Sequence, residues 1–267
     1  MEIEIFLVIV SWLLYILFMQ SIKTSGIVLK TMNYGEADKI LTIFTRDFGK
    51  VKAIAKGVRK IKSWLSGSLQ QFMLLELRMI TGKTFYLPTE SAILREYPNI
   101  QSDLSKTAEA FYVGELIDKL FEEDEKHEEA FDLLTEILDL IDLGVKMVIL
   151  RAFELKLIEL AGFKPELNNC VHCKEKITAG DNFWDDIEGG VICHACQTKY
   201  RHGVDIGDSV IKLLRFFEEN EIVTAKRLKV DLEVEKKTEK LLSRYIENVL
   251  DREVKSKKFL DQVGVNN

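Results

Sequence analysis

Cys170, Cys173, Cys193 and Cys196 are the only cysteines in 267 residues, and they fall in one window spaced C-x2-C-x19-C-x2-C. A two-residue spacer lets both sulfurs of a tight turn reach the same ion. Two such knuckles supply the four soft donors that zinc takes in a tetrahedron. The pattern points to a zinc-ribbon-like module in which four thiolates leave no open position for water or substrate, so the metal is expected to be structural. His172 and His194 lie inside the knuckles and read as bystanders to a complete sulfur set. The alternative is a pair of disulfides, which requires an oxidising compartment.

The second chemistry-bearing group is cationic. The formal net charge is -6, but residues 20–83 hold 12 Lys/Arg against 4 Asp/Glu, whereas residues 84–267 hold 25 against 37. A basic N-terminal module on an acidic body suits a polyanionic partner. Side chains alternate along a strand, so Lys50, Lys52 and Lys56 share one face with Ile54, and Val51, Ala53 and Ala55 share the other. The next loop adds Arg59, Lys60 and Lys62, with Trp64 behind them, and Lys39 and Arg46 stand at the two ends of the preceding strand. Such a row can track a phosphate backbone, with Trp64 and Tyr34 as base-stacking candidates. Of the other aromatics there, Phe44 reads as core and Phe48 as a lesser candidate. Nothing in the patch reads base identity, so salt-sensitive binding indifferent to sequence is expected.

Enzyme signatures are missing. Gly82-Lys83-Thr84 looks like the end of a phosphate-binding loop, but Leu77 stands where its first glycine belongs. There is no H-E-x-x-H and no G-x-S-x-G, and the run Glu122-Glu123-Asp124-Glu125 reads as a solvated loop between helices. The expectation is a protein that is not an enzyme.

The elements that must position these groups change character along the chain. Gly26–Met32, Lys39–Arg46, Lys50–Lys56, Gln71–Ile80 and Thr84–Leu94 are five short strands separated by turn residues, which predicts a five-stranded OB-fold barrel; an SH3-like barrel reads similarly. After Pro98, helical spacing takes over in Ser102–Phe121, Glu128–Leu143 and Val145–Ala161, the last stopping at Gly162 with Pro165 beyond. Two more amphipathic helices follow near Asp208–Asn220 and Lys236–Leu250, then a polar tail. The expected organisation is α+β and multidomain: a barrel over 19–97, a helical domain over 98–166 and 201–267, and the zinc module over 167–200. Ile5–Met19 is a fifteen-residue apolar run, shorter than a bilayer span. Residues 1–18 read as an extension upstream of a start at Met19, with a short membrane anchor as the alternative. No membrane partner is expected.

Several of these segments together resemble the RecO family of bacterial DNA repair and recombination mediators. The likeness lies in Gly26-Ile-Val-Leu-Lys30, Tyr34-Gly-Glu-Ala-Asp-Lys39, Phe44-Thr45 with Phe48-Gly49-Lys50, and Lys56-Gly57-Val58-Arg59-Lys60. It resumes in Phe153-Glu-Leu-Lys-Leu157, Ala161-Gly-Phe163 and Pro165-Glu166-Leu167 and reaches Cys170, covering about residues 22–250 in order. The resemblance implies a cytoplasmic, nucleoid-associated protein that binds single- and double-stranded DNA and anneals complementary strands. It also implies cooperation with RecR in loading RecA onto strands coated by single-strand-binding protein, whose acidic C-terminal tail docks on the helical body. For that tail no motif position carries over; Arg151 and Lys156 are the residues considered. An RNA-binding protein built from the same barrel and ribbon is the competing reading, and a zinc-dependent enzyme acting on nucleic acid is a third.

Overall fold

The computed structural model describes residues 21–60, 63–144, 146–200 and 203–264, so Lys62 and the apolar segment 1–18 lie outside the described residues. These residues form two compact units: one runs up to Tyr97 and includes Phe121–Phe131, and the other holds Pro98–Leu120 and everything from Asp132 on.

In the first unit, alternating apolar residues build five strands: β1 (Ser21–Tyr34), β2 (Asp38–Thr45), β3 (Gly49–Ala55), β4 (Leu74–Ile80) and β5 (Leu87–Arg95). Their order is β3-β2-β1-β4-β5, with every neighbouring pair antiparallel. The sheet then closes on itself: Tyr86 donates its N–H to Lys52 O at 2.9 Å and accepts from Ile54 N at 2.8 Å, a parallel contact between the start of β5 and β3. Closure of this kind makes the five-stranded OB barrel that the strand count suggested, and it removes exposed sheet edges. Val28, Leu41, Ile43, Val51, Leu75 and Leu77 fill its interior.

β1 is long enough to serve two partners. Its first half pairs with β4 and its second with β2, and the register with β2 slips at Leu29, between Val28 opposite Ile43 and Lys30 opposite Thr42. Such a bulge leaves backbone groups outside the ladder that still need partners. Phe72 N donates to Val28 O at 2.9 Å and Gln71 Nε2 to Leu29 O at 3.0 Å. This is why β4 begins at Leu74 and not at Gln71: residues 71–72 serve the bulge, and Phe72 takes a positive φ of 59°.

The acidic run is an exposed loop between helices, as its sequence suggests, and has a further role. Glu122–Glu125 does more than link helices; its backbone lies along β3. Asp124 N donates to Lys50 O at 2.9 Å, and Glu123 bridges Lys50 in parallel. Phe121 and Phe131, on either side, pack on the fully buried Phe44 with ring centroids 5.7 and 6.3 Å away.

The second unit is helical: α1 (Pro98–Ser102), α2 (Leu104–Leu120), α3 (Glu128–Leu143, whose residues up to Phe131 cluster with the barrel) and α4 (Met147–Leu160). Helix α4 is apolar on nearly every side and buried accordingly; it ends as its sequence indicates, with Gly162 at φ +87° and Phe163 N bonded to Ile158 O. The cysteine module follows, with β6 (Asn182–Asp185), β7 (Gly190–Cys193) and α5 (His194–Tyr200). It reaches past residue 200, because β8 (Val204–Asp205) joins β6 as a third strand. Helices α6 (Gly207–Glu219), α7 (Leu232–Leu250) and α8 (Lys255–Gly264) complete the chain, with a 3-10 turn at Ile222–Arg227. The module docks within this unit. Trp184 of β6 is fully buried and meets Tyr245 of α7 edge-on at 5.4 Å, and Arg215 of α6 donates to Leu167 O at 2.6 Å.

Helix α8 stands where the sequence suggested a polar tail. Its N-terminus is held by a carboxylate from α2: Glu115 accepts from Ser256 N at 2.6 Å and Lys255 N at 3.2 Å. Burial pushes the Glu115 pKa up, but hydrogen bonds from Ser256, Lys119 and Lys255 outweigh it and hold the group below its ordinary value. A carboxylate lowered in the folded state stabilises above its unfolded pKa, and that stability disappears as pH falls through the folded value. Glu115→Gln is therefore expected to cost about 1 kcal/mol at neutral pH, as loss of a cap does. The gap in unfolding midpoint from the wild type should shrink as pH drops below about 4; a gap that does not change with pH would contradict this role.

Candidate nucleic-acid interface and metal centre

The bulge at Leu29 decides which β1 side chains face outward. Beyond it, Lys30 stands opposite Thr42, which stands opposite Lys52; Met32, Ile40 and Ile54 form the next row. Tyr34 lies opposite Asp38 at the far end, where Lys56 continues β3. The opposite faces of the same strands carry Val28, Ile43, Val51, Leu41 and Ala53 into the core. Rows two residues apart are separated by about 7 Å, and Lys30 and Lys52, two strands apart, by about 10 Å. Lys30, Lys52, Lys56, Met32 and Tyr34 are all exposed. Asp38 leaves one carboxylate beside this face, held by a hydrogen bond from Gly57 N at 2.7 Å. The platform thus offers cations at both ends, an apolar middle and the Tyr34 ring at one end, a combination suited to phosphates and base faces together.

The other expected contacts are distributed more widely. Lys39 is half-buried at the end of the barrel, on the side that faces Leu41. Arg46 lies just beyond β2 with Nε and Nη2 each 3.1 Å from Glu128 Oε1. Lys50 shares the predicted face with Lys52 but is only 8% exposed; Phe121 and Phe131 pack on its cross-strand neighbour Phe44, and the segment between them pairs with its backbone. Lys52 itself is 2.5 Å from Glu123. Arg59 is exposed and ties its loop to the β1–β2 turn, with its N–H bonded to Ala37 O at 2.9 Å and Nη1 to Gly35 O at 3.3 Å. Lys60 is exposed next to it. Trp64 is 65% exposed, but it lines a separate groove of about 260 Å³ with Lys23, Glu76, Arg78 and Glu90 on β1, β4 and β5. The structure therefore groups Tyr34 with Lys56 and Arg59 and sets Trp64 against other strands. Lys30 and Met32 were missed as contacts; alternation along β1 carries them, but only once the bulge is known.

Local turns bring the four cysteines together. After Cys170 the chain reverses, with Lys174 N bonded to Cys170 O at 2.9 Å, Cys170 N bonded to Glu175 O at 2.8 Å and Lys174 at φ +65°. Cys193 ends β7, and Cys196 lies in the first turn of α5. All four Sγ atoms lie within 4.8 Å of one another, and Cys173 and Cys193 are 3.8 Å apart. A metal with four sulfurs at about 2.3 Å in a tetrahedron needs sulfur–sulfur edges of about 3.8 Å. The donor set fits, and no disulfide joins these cysteines. Burial pushes the Cys170 thiol up, but the N–H groups of Cys173, Cys193 and His172 hold it down at about 6, whereas burial and hydrogen bonds shared among the sulfurs raise Cys196 to about 12, so a metal must displace protons from the cluster to bind. Neither knuckle histidine joins the cluster. His172 stacks on Tyr200 at 4.6 Å with Nε2 3.3 Å from Asp185, and His194 is exposed with Nδ1 4.0 Å from Asp181.

The second unit also holds a groove of about 1000 Å³ of mixed character, lined by apolar residues such as Met147 and Leu260, by the basic Lys146, Arg151, Lys229 and Lys236, and by the acidic Glu109, Glu235, Glu239 and Asp261. Arg151 is 1% exposed and 3.0 Å from the fully buried Glu154, which accepts from Tyr112 Oη at 2.7 Å. Burial, with Asp103 nearby, raises Glu109 in the same groove to about 7. Lys156 is turned elsewhere and donates to Glu218 O at 2.5 Å. Among the described residues, no helix is long and apolar enough to cross a membrane.

Comparison with known proteins gives a consistent result over nearly the whole chain. The family described as Recombination protein O N terminal matches residues 19–97, and that described as Recombination protein O C terminal matches residues 101–258. A DNA repair protein RecO from Dehalococcoides mccartyi (strain ATCC BAA-2266) is 35% identical over 243 residues, covering 91% of this chain and 96% of that protein. Those of Alkaliphilus metalliredigens and Thermoanaerobacter sp. (strain X514) are 34% and 30% identical, over 86% and 92% of this chain and 94% and 99% of their own lengths.

A module this small has little core of its own, so a metal held by the four sulfurs should brace it. Stripping the metal with a chelator is expected to loosen β6–β8 and expose Trp184, read as a red shift in tryptophan emission, and Cys196→Ser should reproduce the shift. Unchanged emission in metal-free protein would remove the bracing role.

Proposed function

The chain belongs to the RecO family of DNA repair proteins, and from that premise we propose that it is a non-enzymatic mediator that grips DNA on the outer face of β1–β2–β3. The observation carrying this reading is the platform itself, with Lys30, Lys52 and Lys56 around the Met32–Ile40–Ile54 row and Tyr34 at one end. Lysines at the ends neutralise phosphates, and the middle accepts base faces without reading their hydrogen-bonding edges, so both single- and double-stranded DNA are ligands. Arg59 and Lys60, in the adjoining loop, extend the same field.

Annealing follows from this layout without ATP. Two complementary strands repel through their phosphates; a cationic surface lowers that repulsion and concentrates both, and base pairing supplies the driving force. In recombination the protein acts with RecR to load RecA onto strands coated by single-strand-binding protein. The acidic C-terminal tail of that protein is assigned to the groove over Arg151, where the exposed Lys146, Lys229 and Lys236 stand beside apolar residues, while Arg151 itself is paired with Glu154 and Glu239. The ion for the cysteine quartet is zinc, held by Cys170, Cys173, Cys193 and Cys196. When bound, it supplies a four-thiolate cross-link between the two knuckles and no open coordination position.

The test is annealing of complementary oligonucleotides and their binding at several salt concentrations. Lys30→Gln, Lys52→Gln and Lys56→Gln combined should weaken binding to single strands and flatten the log–log salt slope by about 2, near 0.7 for each phosphate no longer neutralised. Annealing should slow in parallel. A triple variant with unchanged slope would move the interface off this face.

A further inference from the structure

The acidic segment and the lysine platform meet in one place. The five residues Glu122–Lys126 are exposed, and four of them are acidic. Their anchors at each end are not: Phe121 and Phe131 pack on Phe44, with Phe121 also 4.6 Å from the His127 ring. Between those anchors the segment lies on β3 through few interactions. Asp124 N bonds to Lys50 O, Glu123 pairs with Lys52, and Asp124 Oδ1 accepts from Tyr86 Oη at 3.3 Å. The fit is close: a Cβ added to Gly49 would come 1.7 Å from Glu125 O, and Gly49 has φ +65°. The result is a carboxylate 2.5 Å from the Lys52 ammonium, on a segment that pairs with the backbone of Lys50.

We propose that residues 122–126 are an acidic strap that occupies the phosphate position on β3 and is displaced when a nucleic-acid strand binds. This regulates the face assigned above and rests on that assignment. The Lys52–Glu123 pair is half-exposed, with side chains 48% and 43% accessible, so water and salt screen it and it is worth only a few-fold in affinity. A phosphate backbone bearing several charges can outcompete it, and the buried phenylalanines keep the strap tethered for return. Lys52 is thereby masked from weak anions and opened to a continuous polyanion.

The experiment uses the full chain and a fluorescein-labelled oligothymidylate of twenty nucleotides. Glu123→Gln with Asp124→Asn is expected to tighten binding about two- to fivefold in low salt and to steepen the salt slope by about 0.7 as the Glu123 carboxylate no longer competes with a phosphate for Lys52. Adding Lys52→Gln should abolish that gain, because the gain passes through this cation; a general change in net charge would leave it intact. Hydrogen exchange supplies a readout on the unaltered protein: the Asp124 amide, bonded to Lys50 O, should exchange faster once the oligonucleotide is bound. If the wild type binds but the variant binds equally and Asp124 protection does not change, the strap is only a structural link and the inference fails alone. If the wild type does not bind the oligonucleotide, the assigned face fails, and the strap with it.

Discussion

One extra residue in β1 sets the orientation of the proposed interface. Side chains in a strand alternate faces, so a one-residue slip exchanges core for solvent along everything that follows. Without Leu29 as a bulge, Lys30 would stand opposite Leu41 and project into the barrel core. With it, Lys30 and Met32 turn outward while Val28 still meets Ile43 inside. The bulge survives because its carbonyls are satisfied by Phe72 N and Gln71 Nε2, which explains why those residues are withheld from β4. Closure through Tyr86 then fixes β3 at the other margin of the platform.

The second unit solves a different problem. The cysteine module contributes two four-residue strands, one two-residue strand and a short helix, too little to bury a core of its own. It is held in two ways. Four sulfurs converge within 4.8 Å, and Trp184 inserts against Tyr245, whose hydroxyl in turn donates to Phe163 O at 3.0 Å. A metal bound by the four sulfurs would cross-link the knuckles locally, and the aromatic contact joins the module to α7. Gly189 allows this approach, since a Cβ there would lie 2.7 Å from the Tyr245 hydroxyl.

Charge in the barrel unit is less one-sided than its N-terminal residues suggest. Glu123 pairs with Lys52, Glu128 with Arg46, Glu76 with Lys23 and Glu90 with Arg78. Each is a surface pair that water and salt screen, so its contribution is small. They lower the field felt by weak anions yet leave the cations available to a polymer of phosphates, which also releases counterions at each phosphate neutralised. Under the proposed function, such a surface would favour long nucleic-acid strands over small anions without reading sequence.

The clustering of the four cysteines was fully legible in the sequence, because two-residue spacers are local and impose their own turns. The five strands and the central helix α4 were legible too, since period-2 and period-3.6 patterns are written within each segment, as in Val51–Ala55 and in Val148–Ile158. Helix α8 was not: its charged residues mask an apolar face that only Leu260, 4% exposed, and the Glu115 cap reveal. The lysine platform was half legible. Alternation placed Lys50 beside Lys52, but nothing local announced that a segment seventy-odd residues later would pair with the backbone of the first and the side chain of the second. The sequence by itself determined which residues alternate, which turns form and which sulfurs can share an ion, since those depend on neighbours along the chain. Only the tertiary structure decided the Leu29 bulge, the separation of Trp64 from Tyr34 and the seating of the acidic run on β3, because each depends on contacts between segments far apart in sequence.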